Sequence, residues 1–237
     1  MTGSPKRLEG RLAVVTGASR GIGAAVARRF AAEGAHLILV ARTVGALEEI
    51  DDEIRTGGDS ATLVPLDLRD FDKLDQMGAS LYERFGKLDV LVGNAGVLGA
   101  LSPMGHTTPK LWSEIIDVNL TANWRLVRSL DPLLRRSESG RAIFTTCAAG
   151  RETLPYWGAY AASKAALETM ARIYAGEMAR TSVRVNLIDP GAVATKLRLQ
   201  AFPAEDRSKL RQPEEVVEPF VALAAAECTR NGDILRL

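Results

Sequence analysis

The sequence predicts an α/β fold: a single doubly wound domain in which a parallel sheet carries helices on both faces. Three observations predict it. Short apolar runs rich in β-branched residues alternate along the chain with amphipathic stretches of helical period. The first of these runs leads directly into a glycine-rich turn and then a helix-period segment. The chain has 237 residues, enough for one large domain that buries roughly 70% of its unfolded surface without disulfides or metal staples. Strands alternating with helices imply right-handed βαβ units, hence a parallel sheet covered on both sides.

Residues 12–16 form the first predicted strand. Ile22, Val26 and Phe30 then recur at i, i+4 and i+8 among Arg28, Arg29 and Glu33, and Gly34 stops the helix. Strands are predicted at 36–40, 62–65, 90–92, 142–145 and 183–188, with a short last one near Ile234. Between them the pattern predicts helices at 47–55, 74–85, 111–130, 159–179 and 214–226. Residues 1–9 read as an N-terminal tail. The polar segment 198–213, with two prolines, reads as the core of a mobile loop over 196–213. No internal repeat or low-complexity linker divides the chain, so 1–237 is expected to be one domain.

Composition excludes several classes. Lys and Arg number 30 and Asp and Glu 29, for a net charge of +1, so no electrostatic footprint for nucleic acid or an anionic membrane is present. The basic residues Arg125, Arg128, Arg135 and Arg136 read as a solvated helix face. Two cysteines, Cys147 and Cys228, make no CxxC pair, and the first residues hold no apolar signal region; a reducing cytoplasm is the expected location. The uncharged run 90–109 is broken by Gly93, Gly96, Gly99, Pro103 and Gly105 and is not a membrane helix. With no His/Cys/Asp cluster, no catalytic metal is expected.

The turn after the first strand is Thr16-Gly17-Ala18-Ser19-Arg20-Gly21-Ile22-Gly23. Glycines let the backbone approach a phosphate closely, and the helix behind them offers free N–H groups and a positive dipole end to a pyrophosphate. The spacing is Gly-x3-Gly-x-Gly, without the Lys-Ser/Thr of a P-loop. The same residues also fit a plain tight βα turn. They match GxSxG as well, the nucleophile elbow of a hydrolase with Ser19 as nucleophile, but that fold needs a histidine late in the chain, and only His36 and His106 exist.

Further motifs follow in order, and together they make the chain resemble the short-chain dehydrogenase/reductase family from about residue 11 to 195. Thr16 to Gly23 is similar to that family's TGxxxGIG. Asp67-Leu68 follows the third strand, where the family contacts adenine. Gly93-Asn94-Ala95-Gly96 is similar to NNAG, with glycine for the first Asn. Asn119 stands where the family has a catalytic Asn, Tyr160 to Lys164 matches YxxxK, and Pro190-Gly191 to Thr195 matches PGxxxT. The resemblance implies a Rossmann-type sheet of order 3-2-1-4-5-6-7 and a nicotinamide cofactor. It implies cofactor contacts from Gly17, Ser19, Arg20, Gly21, Ile22 and Gly23, from Asp67 and Leu68, and from Asn94, Ala95 and Gly96. Lys164 and Tyr160 would face the nicotinamide ribose, and Pro190, Gly191, Val193 and Thr195 would close over it.

The implied chemistry is hydride transfer between the cofactor and a carbonyl or alcohol. Tyr160 is the acid/base, Lys164 binds the ribose, and Asn119 holds a water in a proton relay. Tyr160 and Lys164 are i and i+4 and share one helix face; a nearby ammonium is expected to lower the phenol pKa. One departure matters. The family has Ser 13 residues before the Tyr, and here that position is Cys147. A thiol is a weaker donor than a hydroxyl. Three readings stay open: a reductase with altered rate or scope, a weakened enzyme that mainly binds NADP(H) as a regulatory or partner protein, or a thiol with its own role. Thr146 would point to the opposite face from Cys147.

A dinucleotide fold preferring NAD usually ends its second strand with Asp or Glu. Here it ends Ala41-Arg42-Thr43. Arg42, with Arg20, suits a 2′-phosphate, so NADP(H) is the expected cofactor, with NAD(H) left open. The family shapes its substrate pocket from 97–106, 151–157 and 198–213. Leu98, Leu101, Leu154, Tyr156 and Trp157 there suggest a small apolar or aromatic carbonyl substrate, and Arg151 reads as a surface residue. The family also pairs through its two long helices, and an alanine stripe including Ala161, Ala165, Ala166, Ala171, Ala175 and Ala179 predicts a homodimer or homotetramer.

Overall fold

The computed structural model describes residues 6–237. Seven parallel strands lie in the order β3-β2-β1-β4-β5-β6-β7. They are β1 Leu12–Thr16, β2 His36–Ala41, β3 Ala61–Pro65, β4 Val90–Gly93, β5 Arg141–Thr145, β6 Arg184–Asp189 and β7 Ile234–Arg236. Strand alternation sends Val14 and Val15 to opposite faces. Val15 and Leu39 pack with Phe30 of helix α1 (Gly21–Ala32), with α2 (Val44–Thr56) and with Phe220 of α8 (Glu218–Ala224). Val14 and Ile38 pack on the other side under Leu74 of α3 (Phe71–Phe85), Leu126 of α5 (Ala122–Leu134) and Leu167 of α6 (Gly158–Glu177). Both faces of the sheet are therefore covered, which is why the central strands read as unbroken apolar runs. The sheet builds outward in both directions from β1 and β4, and the crevice where the order reverses opens at the carboxyl ends of the strands.

Three segments differ from expectation. The helix expected at 111–130 is α4 (Pro109–Ile116), a π-helical turn over Asp117–Thr121, then α5. The amide of Ala122 reaches back to the Asp117 carbonyl, a five-residue step that widens the helix by one residue. Asn119 sits within this turn and is wholly buried. The helix expected at 214–226 is a 3-10 turn, Pro213–Val216, followed by α8. Pro219 lies in the first turn of α8, where its missing N–H leaves no bond unmade. The segment 196–213, expected as a loop, carries secondary structure. It holds α7 (Lys196–Ala201), a 3-10 turn at Arg207–Lys209, and a parallel bridge between Val193 and Arg211.

The expected tail is also corrected where it is described. Residues 1–5 lie outside the described residues, but Leu8 is fully buried in the core beside Phe30, and Arg7 bonds Glu33 and Glu218. Likewise Arg125 is not simply solvated: it bonds Asp75 at 2.8 Å and its guanidinium lies 4.6 Å from the Phe71 ring centre. Among the described residues no helix is long and apolar enough to cross a membrane, and no group of three His, Cys, Asp or Glu side chains is placed to hold a metal.

Candidate functional site

A cleft of about 1060 Å³ runs along the carboxyl ends of the strands, from Arg20 and Arg42 at one end to Trp157 and Phe202 at the other. Its floor at the first end is the glycine turn. Gly17 and Gly21 have φ of 66° and 55°, a region costly for any residue with a side chain. A Cβ on Gly23 would lie 2.2 Å from the Gly17 carbonyl oxygen, and one on Gly17 would lie 2.9 Å from Ala95 Cα. No side chain caps the N-terminus of α1, so its first amides remain available to an anion. These residues fit a dinucleotide diphosphate.

The turn after β4 is locked to the glycine turn through Thr16. The Thr16 hydroxyl accepts from the amides of Asn94 (3.0 Å) and Ala95 (3.2 Å) and donates to the Val92 carbonyl. Asn94 returns a bond from Nδ2 to the Thr16 carbonyl at 3.1 Å and accepts one from Thr145 Oγ1. Arg20 and Arg42 are exposed on the rim, and β2 ends without a carboxylate. Asp67 and Leu68 line the same end. The Asp67 carboxyl is held below the usual range by its bond to Arg69, with Arg42 adding to the effect.

Asn119, Cys147, Tyr160 and Lys164 converge in the middle. Asn119 Oδ1 accepts from the Val97 amide (2.8 Å), and its Nδ2 donates to the Val97 carbonyl and to Ser163 Oγ, both at 3.0 Å. The π turn thus aims Asn119 at the loop after β4 instead of along the helix flank. Tyr160 and Lys164 project from one face of α6. The Cys147 thiol lies 3.7 Å from the Tyr160 hydroxyl, and Lys164 Nζ donates to the Thr145 carbonyl at 2.9 Å. A Cβ on Gly96 would stand 3.5 Å from Asn119 Oδ1 and 3.7 Å from Lys164 Nζ, in ordinary contact, so this glycine lies directly against both side chains. Pro190, Gly191, Val193 and Thr195 line the opposite wall, and the Thr195 methyl would touch a Cβ placed on Gly21 at 3.4 Å. The catalytic and cofactor-binding residues singled out from sequence, Ser19 and Ile22 included, border one cleft or support its walls; of those expected to shape the substrate end, Leu98, Leu154 and Trp157 line it, Leu101 packs behind it, and Tyr156 is exposed outside it.

The electrostatics depart from expectation. The Tyr160 phenol is pushed up, not down: burial is the main cause, with the neighbouring Cys147 and the Asp189 carboxylate adding to it. The Lys164 ammonium is itself pushed down by burial; it is committed to the Thr145 carbonyl and lies 5.9 Å from the tyrosine ring centre. Loss of water around the phenol outweighs the attraction of this cation.

Arg151 is not a surface residue. It is held between Glu168 of α6 and Asp189 at the end of β6, and Thr146 Oγ1 also donates to Glu168 at 2.7 Å. Thr146 thus faces away from Cys147, as strand geometry predicts. Asp189 Oδ1 accepts from the Gly191 amide at 3.1 Å. Sequence reasoning missed this cluster. Glu168 stands one turn beyond Lys164 on the same helix face, a spacing that could have flagged it. Neither histidine lines the cleft; His36 opens β2 beside Thr62, so Ser19 has no base. Both cysteines are free and half-buried.

A glycine-cradled diphosphate site joined to a buried Tyr-Lys pair at the switch point of a seven-stranded parallel sheet defines a dinucleotide-dependent oxidoreductase fold. The family model for short chain dehydrogenase matches residues 11–206. The chain belongs to the short-chain dehydrogenase/reductase family of oxidoreductases. It is 36% identical over 228 residues to the uncharacterized oxidoreductase YciK of Escherichia coli K12, covering 94% of this chain and 90% of that one. A short-chain dehydrogenase structure from Pseudomonas syringae superposes with a TM-score of 0.95 at 36% identity, covering 99% and 97% of the two chains. One from Shigella flexneri 2a, complexed with NADP, superposes at 0.94 with 33% identity, covering 98% and 99%.

Proposed function

We propose that this protein is an NADP(H)-dependent carbonyl reductase or alcohol dehydrogenase, one domain over 1–237, acting on a small apolar or aromatic substrate. The observation that carries this reading is the meeting, in one cleft, of the Tyr160 hydroxyl with an uncapped, glycine-lined helix terminus. The bound nicotinamide would supply or accept the hydride. The chain's own residues handle the proton and the geometry. Tyr160, kept neutral by burial, donates a proton to the developing alkoxide and, in the reverse direction, removes one from the alcohol. Lys164, held by the Thr145 carbonyl, places its ammonium beneath the cleft to bind ribose hydroxyls. Asn119 fixes the loop at Val97 and the helix at Ser163 and so holds the proton relay in place. Cys147 stands where a carbonyl oxygen would be polarised.

Arg20 and Arg42 at the rim support NADP(H) over NAD(H), as does the NADP held by the Shigella relative. A guanidinium fork recognises a 2′-phosphate, and there is no carboxylate to hold a free 2′-hydroxyl. Titrating the protein with NADPH and NADH, followed by the fluorescence of its three tryptophans, tests this. NADPH is expected to bind at least tenfold more tightly, and Arg42→Ala to bring the two together. Equal affinities in the wild type would reject the preference.

The second reading is a weakened enzyme that binds NADP(H) in a regulatory or partner role, favoured by the thiol beside Tyr160. Turnover separates the two. NADPH oxidation across a ketone panel that disappears in Tyr160→Phe supports the reductase; tight NADPH binding without turnover supports the alternative. We also propose a homodimer or homotetramer. Trp112, Trp124 and Ile173 are exposed on α4, α5 and α6. Of the alanine stripe, Ala171 and Ala175 are buried in the core and do not contribute.

A further inference from the structure

We propose that Arg151 is a positioning residue for the proton transfer at Tyr160: its guanidinium clamps the helix that carries Tyr160 and Lys164 to the cleft wall at 190–195 and offsets the carboxylate charge behind the phenol. The proposal rests on the carbonyl-reductase reading and concerns groups that border the reaction without meeting the substrate. Asp189 lines the cleft, whereas Arg151 and Glu168 lie behind it. One arm of the Arg151 fork bonds Glu168 on α6, and the other bonds Asp189 at the end of β6. Among the described residues no other cation pairs with either carboxylate.

Each partner leads to a different part of the site. Glu168 stands one turn beyond Lys164 and accepts from Thr146 Oγ1 at 2.7 Å, so it joins α6 to the chain one residue before Cys147. Asp189 accepts from the Gly191 amide at 3.1 Å and so sets the start of the wall that ends at Thr195. Arg151 itself follows the 3-10 turn Ala148–Gly150, which is seated on α6: a Cβ on Gly150 would lie 2.9 Å from the Ala165 nitrogen and 3.0 Å from the Lys164 carbonyl carbon. Arg151 is therefore held by its main chain as well as its side chain. The titratable and charged groups that face Tyr160 are Cys147 after β5, Lys164 on its own helix and Asp189 from the end of β6. The loop after β4 and α7 present Leu98 and Leu197 to it. The Asp189 carboxylate opposes formation of the phenolate, and the Arg151 guanidinium offsets that opposition. Removing one charge or the other must then move Tyr160 ionisation in opposite directions, although both changes loosen the same joint.

The test compares Arg151→Met, Arg151→Lys and Asp189→Asn with the wild type, on the full-length protein and at a temperature where circular dichroism shows each one folded. Asparagine can still accept from the Gly191 amide. Arg151→Met is expected to lower kcat for ketone reduction about tenfold or more while NADPH affinity stays within about threefold, because the glycine turn and the Arg20–Arg42 rim are untouched. In the pH profile of alcohol oxidation, the alkaline rise should begin about half a pH unit or more lower in Asp189→Asn and higher in Arg151→Met, with Arg151→Lys near the wild type. If Arg151→Met does not fold, the double variant with Asp189→Asn takes its place; it keeps the net charge of the wild type and its onset should return to the wild-type value. Shifts of one sign in both single variants, no shift, a double variant that keeps the Asp189→Asn onset, or a kcat unmoved by Arg151→Met overturns the proposal. If the wild type reduces no ketone, the reductase reading fails separately. The phenolate absorbance of Tyr160, isolated by subtracting the Tyr160→Phe counterpart of each protein, then decides: opposite shifts of its onset support the clamp, and equal or same-sign shifts overturn it.

Discussion

The thiol of Cys147 stands 3.7 Å from the Tyr160 hydroxyl, at the point where a substrate carbonyl would accept a hydrogen bond. Sulfur is larger and a weaker donor than oxygen, and deleting a good donor to a developing oxyanion costs about a hundredfold or more in rate. Cys147→Ser is therefore expected to raise kcat for ketone reduction by roughly tenfold with little change in NADPH affinity; a steady-state comparison checks it. Burial keeps the Tyr160 phenol protonated above its ordinary value near 10. The sign follows from the proposed mechanism, in which a neutral phenol is the proton donor: reduction should hold its rate through neutral pH and decline only above about pH 10. Alcohol oxidation, which needs the phenolate, should rise with pH over the same range. A pH profile of kcat/KM in both directions tests this, and a limb falling near pH 7 would contradict it.

At the scale of elements, the site depends on joints that hold three chain segments together. The Arg151 guanidinium ties Glu168 on α6 to Asp189 at the end of β6, while Asp189 steadies the Gly191 amide. Both carboxylates are nearly buried. Removing the cation leaves two like charges with little water, which costs about 3 kcal/mol for a buried pair. Arg151→Met should lower the thermal midpoint by roughly 6–10 °C in a chain of this size. Adding Asp189→Asn should recover part of that loss, because one of the stranded charges is gone; calorimetry distinguishes the two variants. The π turn between α4 and α5 is a joint of the same kind. It sets Asn119 between Val97 and Ser163, linking the loop after β4 to the helix that carries Tyr160.

Across the whole molecule, the N-terminal segment is closed onto the sheet by charge as well as by Leu8. Arg7 bonds Glu33 and Glu218, and its hydrogen bond holds the Glu33 carboxyl down at about 2. A carboxylate depressed on folding contributes stability that is full above its unfolded value near 4.5 and is lost as pH falls through about 2. Glu33→Gln should therefore flatten the acid limb of stability, with wild type and variant converging toward pH 2; urea denaturation at several pH values measures it. The exposed Ile173 on α6 and Trp124 on α5 are apolar surface suited to a second copy. Ile173→Glu is expected to shift the mass in light scattering to that of a monomer, while a wild type already monomeric would reject the proposed assembly.

The layered α/β fold and most of the cleft were legible in the residues, because both rest on local patterns. Strand and helix periods identified the first six strands to within two residues at each end and the place of the seventh. The glycines of 17–23 were readable because a backbone meeting a phosphate tolerates no Cβ, and Tyr160 and Lys164 because four residues make one helical turn. Other features depend on residues distant in sequence. Helical period says nothing of the extra residue that turns Asn119 toward Val97. Nothing local to Leu8 marks it as core. The direction of the Tyr160 shift followed from how much water the folded chain removes around the ring, outweighing a lysine one turn away. Arg151 looked like a surface residue because Glu168 and Asp189, its partners 17 and 38 positions along, meet it only once β5, α6 and β6 have packed. Local chemistry determined which elements form and which residues border the cleft; long-range packing decided the charge and aim of the groups inside it, since burial and pairing are properties of the closed structure.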